Sequence, residues 1–102
     1  MNVVKESDPS EERKRQLGVD QWATWTKEES TFDWSYEKPE TCYVLQGAFS
    51  VDLPGGETVS AAEGDLVKFP AGLSCTWTVE RDLKKVYTPE SLDLNGRQIP
   101  VD

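Results

Sequence analysis

The sequence predicts an all-β fold, a single sandwich or barrel preceded by a short helix. Three observations predict it. Strand-like runs are short, with turn residues between them at roughly eight- to twelve-residue intervals. Aromatic and polar residues alternate, as in Phe32-Asp33-Trp34-Ser35-Tyr36. The stretch from Gly64 to Trp77 holds two β-rich runs around Pro70-Ala71-Gly72, where Pro70 fixes φ and Gly72 tolerates positive φ. That stretch is expected to be a hairpin whose two runs face one core.

Taken in order, Asp8-Pro9-Ser10-Glu11 reads as a helix start, with Asp8 as cap and Pro9 at the first helical position. The helix should run to about Leu17 and stop at Gly18. Leu17 is nearly its only apolar residue, so it is expected on the surface. From Val19 the pattern turns to β, with Trp22 and Trp25 the heavy residues of the first run. Lys27 to Ser30 is a turn, and 31–37 alternates with Phe32, Trp34 and Tyr36 on one face. Lys38-Pro39 breaks that strand. Residues 40–53 form the longest β segment, interrupted by Gly47, which marks a bulge or a close approach. Pro54-Gly55-Gly56 turns into 58–61, and Glu63-Gly64-Asp65 turns into the Gly64–Trp77 stretch. A further turn at Asp82 precedes a last run, 83–88. In the tail, Asn95-Gly96 between Leu92, Leu94, Ile99 and Val101 is a hairpin signal. The expected organisation is an N-terminal extension with a short helix (1–17), a barrel (18–88) and a C-terminal tail (89–102).

A chain of 102 residues makes one domain, and its 36% apolar and 29% charged content fits an ordered soluble one. The net charge of −8 disfavours nucleic acid and anionic membranes as partners. The basic clusters at Arg13-Lys14-Arg15 and at Arg81, Lys84 and Lys85 are flanked by acids and read as mixed-charge surface. No apolar run approaches the roughly 20 residues that span a bilayer. Residues 1–8 lack the apolar segment of a signal peptide, which is read as a cytoplasmic location or as processing from a longer precursor. There are two cysteines and no histidine, so no zinc site is expected. Cys42 and Cys75 are read as buried reduced thiols, with a disulfide between them left open.

Two spacings carry a family resemblance. Glu40 precedes Gly47, and Gly64 precedes Pro70, Gly72 and Cys75, in the order of the two motifs of a cupin. The wording of Phe32-Asp33-Trp34, of 40–47, of Gly64-Asp65-Leu66-Val67 and of 69–77 resembles the small single-domain cupins grouped with the ureidoglycine aminohydrolase cupin domain. The resemblance covers about 18–87. It implies a cupin-type (RmlC-like) jelly-roll β-barrel, and a homodimer. In metal-binding cupins the motifs supply three histidines and a glutamate to Mn, Fe or Zn. Carried over by position, these fall on Trp34, Tyr36, Glu40 and Cys75. Lys85-Val86-Tyr87 also departs from the resemblance, since relatives carry a histidine before the final tyrosine. Tryptophan does not ligate, tyrosine ligates only when ionised, and glutamate with cysteine is a mismatched pair. No metal cofactor is therefore expected.

The same positions define a candidate ligand pocket: Trp34, Tyr36, Glu40, Cys42, Phe69, Cys75, Trp77 and Tyr87. The rings either line a pocket for a small organic ligand or plug the barrel. Glu40 is either a structural hydrogen-bond partner or an acid/base. Cys75 lacks a histidine to activate it and is a weak nucleophile candidate. Three functions follow: a metal-free binding module, an enzyme resembling ureidoglycine aminohydrolase or another cupin hydrolase or isomerase that uses Glu40, and a structural dimer.

Overall fold

The computed structural model describes residues 3–88, together with the backbone of 91–92 and 98–99. Its seven main strands are β1 (Val4–Ser7), β2 (Ala23–Lys27), β3 (Ser30–Ser35), β4 (Glu40–Asp52), β5 (Thr58–Ala62), β6 (Asp65–Phe69) and β7 (Ser74–Thr88), with one helix, α1 (Glu11–Leu17). All pairings are antiparallel. The all-β jelly-roll expectation holds.

Two long strands organise the sheet. β4 pairs with β7 along one edge and with β6 and then β5 along the other. β7 carries β3 and then β2 on its far edge. Cross-strand neighbours share a face, so one face of β7 takes Cys75, Trp77, Val79, Leu83, Lys85 and Tyr87 towards the barrel interior. The core there is Cys42, Val44, Phe49, Val51, Val67, Phe69 and Trp77, all essentially inaccessible. A second, outer cluster joins Leu17 and Val19 to Leu66 and Val86. The helix is thus pinned to the sheet by Leu17, its one buried residue.

Four local expectations need correction. The stretch from Gly64 to Trp77 is an arch and not a hairpin: β6 and β7 flank β4 on opposite sides and do not pair with each other. Its Pro70–Gly72 bend lets the chain change sides of β4, and Tyr36 clamps it, accepting from the Gly72 N–H and donating its own N–H to the Leu73 carbonyl. The helix cap is Ser10, whose side chain accepts from the Arg13 N–H, while Asp8 takes a positive φ of 53° and donates its N–H to the Gly64 carbonyl. Val19–Gln21 is a turn of 3-10 helix and β2 begins only at Ala23. Asp82 does not end a strand, because β7 runs through it. The structure also adds β1, which pairs with β6. Among the described residues no helix is long and apolar enough to cross a membrane. Ser91–Leu92 pairs with Gln98–Ile99; the Asn95-Gly96 turn and the packing expected of the tail lie outside the described residues.

Gly47 explains how β7 passes Asp82. The β4–β7 register shifts around Gln46–Phe49, which bends both strands. Gly47 has φ +89°, and a Cβ built there would collide with the Asp82 carbonyl oxygen. Gly47→Ala is expected to lower stability by about 1–2 kcal/mol for the left-handed conformation alone. Collision with a backbone that cannot swing aside adds to this, and urea unfolding measures the sum.

Candidate functional site

The site is built by the strands on either edge of β7. Trp25 of β2 is paired with Lys85, and Phe32 of β3 with Trp77. Trp34 and Tyr36 continue the β3 alternation, and Glu40 opens β4. Together with Tyr87 these residues line a partly open cavity of about 130 Å³. Six of the eight are aromatic. Trp34, 49% exposed, stands at the mouth. Phe32 stacks on Trp77 with centroids 6.1 Å apart, and Trp77 stacks on Phe49 beneath it at 4.1 Å. Tyr36 stacks on Phe69 at 4.8 Å, and its hydroxyl accepts from Trp77 Nε1–H at 3.2 Å. The walls are therefore locked from behind by core rings.

The charged part of the cavity is one ion pair. Lys85 Nζ donates to Glu40 Oε2 at 2.8 Å. Lys85 is only 5% exposed. Its ammonium lies 4.7 Å from the Trp77 ring centroid, 5.0 Å from Trp25 and 5.8 Å from Tyr87. Burying an ammonium is costly unless it is paired, and here one carboxylate and three ring faces offset that cost.

Of the residues expected to form the pocket, Trp34, Tyr36, Glu40, Trp77 and Tyr87 come together around the cavity. Cys42 and Phe69 are fully buried behind it, and Cys75 faces back into the core, with its Sγ donating to the Trp34 carbonyl at 3.6 Å. Trp25, Phe32 and Lys85 line the cavity although sequence reasoning did not include them. For Lys85 the signal was present: it alternates with Leu83 and Tyr87, so it shares their inner face.

Both cysteines are free thiols. Burial pushes the Cys42 thiol up to about 11, against an opposing pull from the nearby Lys85 ammonium. Burial, and then the Asp33 charge, raise that of Cys75. Burial, followed by the Glu40 charge, holds the Tyr36 hydroxyl far above its ordinary range. These groups therefore stay protonated at neutral pH. A thiol that is harder to ionise in the folded than in the unfolded chain stabilises the fold fully below the unfolded pKa. That contribution is lost as pH rises through the folded one. Stability is thus expected to fall between pH 9.0 and about 11 through Cys42, by on the order of 1 kcal/mol per pH unit, with Tyr36 steepening the fall at the upper end. Cys42→Ala should flatten this slope in urea unfolding measured across that range.

The donor set does not fit a first-row metal. Of the four positions that correspond to cupin ligands, Trp34 has no lone pair to give and the buried Tyr36 hydroxyl is engaged by Trp77 Nε1–H. The Glu40 oxygen is engaged by Lys85, and the Cys75 Sγ is hydrogen-bonded to the Trp34 carbonyl. A fixed ammonium also faces the carboxylate that a metal would use.

A family model described as EutQ-like cupin domain matches residues 14–87. Among solved structures, the chain is similar to a DUF861 family protein from Thermotoga maritima, with 41% identity and a TM-score of 0.82 over 85% of this chain and 98% of that one. It is similar to a putative ethanolamine utilization protein Q from Salmonella typhimurium, with 26% identity and a TM-score of 0.58 over 63% of this chain and 51% of that one. The EutQ protein of Clostridium difficile, 22% identical with a TM-score of 0.56 over 85% of this chain and 93% of that one, shares the fold. No curated protein matches. With its two motif stretches, its antiparallel jelly roll and a family match that spans most of its length, the chain belongs to the EutQ-like cupin domain family.

Proposed function

We propose that the chain is a metal-free cupin binding module that holds a small organic ligand in its aromatic pocket. The supporting observation is the cavity of about 130 Å³, walled by six rings and carrying a single ion pair. Its size is close to that of a cavity of about 150 Å³ that holds one benzene ring. Ring faces accept a flat apolar or sugar-like face, while Glu40 offers an acceptor and Lys85 a donor to a hydroxyl, amide or carbonyl group. The binding reading needs no metal, which agrees with the donor set around Glu40.

The runner-up reading is an enzyme resembling ureidoglycine aminohydrolase or another cupin hydrolase or isomerase, with Glu40 as acid/base. It is favoured by one observation, that Glu40 lines the cavity. A homodimer, the expectation from resemblance, is compatible with either reading. Thermal-shift and tryptophan-fluorescence titrations against ureides, sugars, small carboxylates and ethanolamine separate the possibilities. Ethanolamine belongs in the panel because the Salmonella relative is a putative ethanolamine utilization protein. Stabilisation by an organic compound after chelator treatment supports the binding module. Stabilisation that requires Mn, or near-stoichiometric Mn, Fe or Zn in protein purified without chelator, overturns the metal-free reading. A melting temperature that depends only on protein concentration points to assembly instead.

A further inference from the structure

We propose that Lys85 is a carbonyl-reactive amine, which would make the pocket a site for small aldehydes or ketones held as an imine. This rests on the reading of the pocket as a ligand site and assigns it a substrate class. Four features at Lys85 support it. The residue is a primary amine that lines the cavity although it is almost wholly enclosed. Its Nζ is in contact with a single carboxylate oxygen, Glu40 Oε2, at 2.8 Å. Three ring faces surround the nitrogen and would serve an iminium cation as well as an ammonium. The cavity has room for about one six-membered ring beside it. Lysines in apolar pockets beside a base are suited to Schiff-base formation.

The step balances within this pair. Glu40 takes one proton from the Lys85 ammonium, freeing the nitrogen lone pair. The amine attacks the carbonyl carbon; a C–N bond forms, the C=O π bond breaks, and the nitrogen, now cationic, passes one of its protons to the oxygen to give a neutral carbinolamine. Glu40 returns its proton to that hydroxyl, which leaves as water, and the nitrogen lone pair closes the C=N bond. The product is an iminium at Lys85 facing a Glu40 carboxylate. One positive and one negative charge face each other before and after, so the site undergoes no net change of charge while buried.

The test is reductive trapping on the full chain at neutral pH. Benzaldehyde is added with sodium cyanoborohydride, which delivers hydride to the iminium and fixes it as a secondary amine, and peptide mapping locates the adduct. Lys38 and Lys84, both exposed, are the internal standards. The expected result is an adduct at Lys85 formed at least about tenfold faster than at either standard, and slowed about a hundredfold in Glu40→Gln. Mapping the unsubstituted protein needs no variant, so a variant that fails to fold does not obscure the result. Labelling of Lys38, Lys84 and Lys85 at equal rates overturns the proposal, as does wild-type labelling in a folded Glu40→Gln variant. Quenching of tryptophan fluorescence by benzaldehyde without an adduct at Lys85 overturns the imine and leaves the binding reading standing. Neither quenching nor adduct, with benzaldehyde and with the wider ligand panel alike, overturns both.

Discussion

Glu40→Leu is expected to destabilise the protein by about 3–5 kcal/mol, because removing one member of a buried ion pair leaves the other charge enclosed and uncompensated. The two halves of the pair are not equivalent. The Lys85 side chain is 6% exposed and that of Glu40 is 16% exposed. After Lys85→Met, the Glu40 carboxylate still borders the cavity and can rehydrate through it, so this loss should fall at the lower end of that range. After Glu40→Leu, the ammonium is left with ring faces alone. Those are worth only about 0.5–2 kcal/mol each, less than the charge it has lost. The double variant Glu40→Leu/Lys85→Met removes both charges and keeps side-chain volume, and should lie within about 1–2 kcal/mol of the parent. Urea unfolding of all four proteins gives the coupling directly. Additive losses would mean that the pair is open to solvent in solution. The coupling should also change little with added salt, since enclosed charges are poorly screened.

Which parts of this site could be read from the sequence follows from how local each feature is. The Phe32-Trp34-Tyr36 alternation is a property of one strand, and it puts Trp34 and Tyr36 at the pocket as expected. Gly47 was legible as a bulge for the same reason: a glycine within a long β run needs a special backbone, and it has φ +89° against the Asp82 carbonyl. The arch at Pro70–Gly72 was misread because a Pro-x-Gly turn looks alike whether the flanking strands pair with each other or lie on opposite sides of β4. Only the long-range pairing separates the two cases. The strand β1 was missed because Val4–Ser7 has no alternation to reveal it; it is defined by its register with β6. Asp8 reads as the cap because it precedes proline. The chain instead uses Asp8 for a positive-φ link to Gly64 and caps two residues later at Ser10. Lys85 illustrates a different failure. Its charge argued for the surface and its alternation for the interior, and the interior prevailed because Glu40 and three rings were there to receive it.

Trp77→Ala is expected to cost about 3–5 kcal/mol, as large aromatic deletions in cores do, and to abolish ligand binding in whatever fraction remains folded. Trp77 is 2% exposed and joins the core to the cavity. One face stacks on Phe49 at 4.1 Å, and Phe32 stacks at 6.1 Å. Trp25 meets its edge at 6.3 Å. Deletion would open a void between these rings and the pocket wall. It would also take away the donor that the buried Tyr36 hydroxyl accepts from and the ring closest to the Lys85 ammonium. Trp77→Phe separates these effects, since it keeps most of the stacking area but not the N–H. Its loss should be about 1–3 kcal/mol, the range for leaving a buried polar group without its partner. Circular dichroism is the suitable probe, because the substitution removes a fluorophore. If Trp77→Phe were as damaging as Trp77→Ala, the hydrogen bond to Tyr36 would outweigh the packing, and the pocket would owe its shape to polar contact more than to stacked rings.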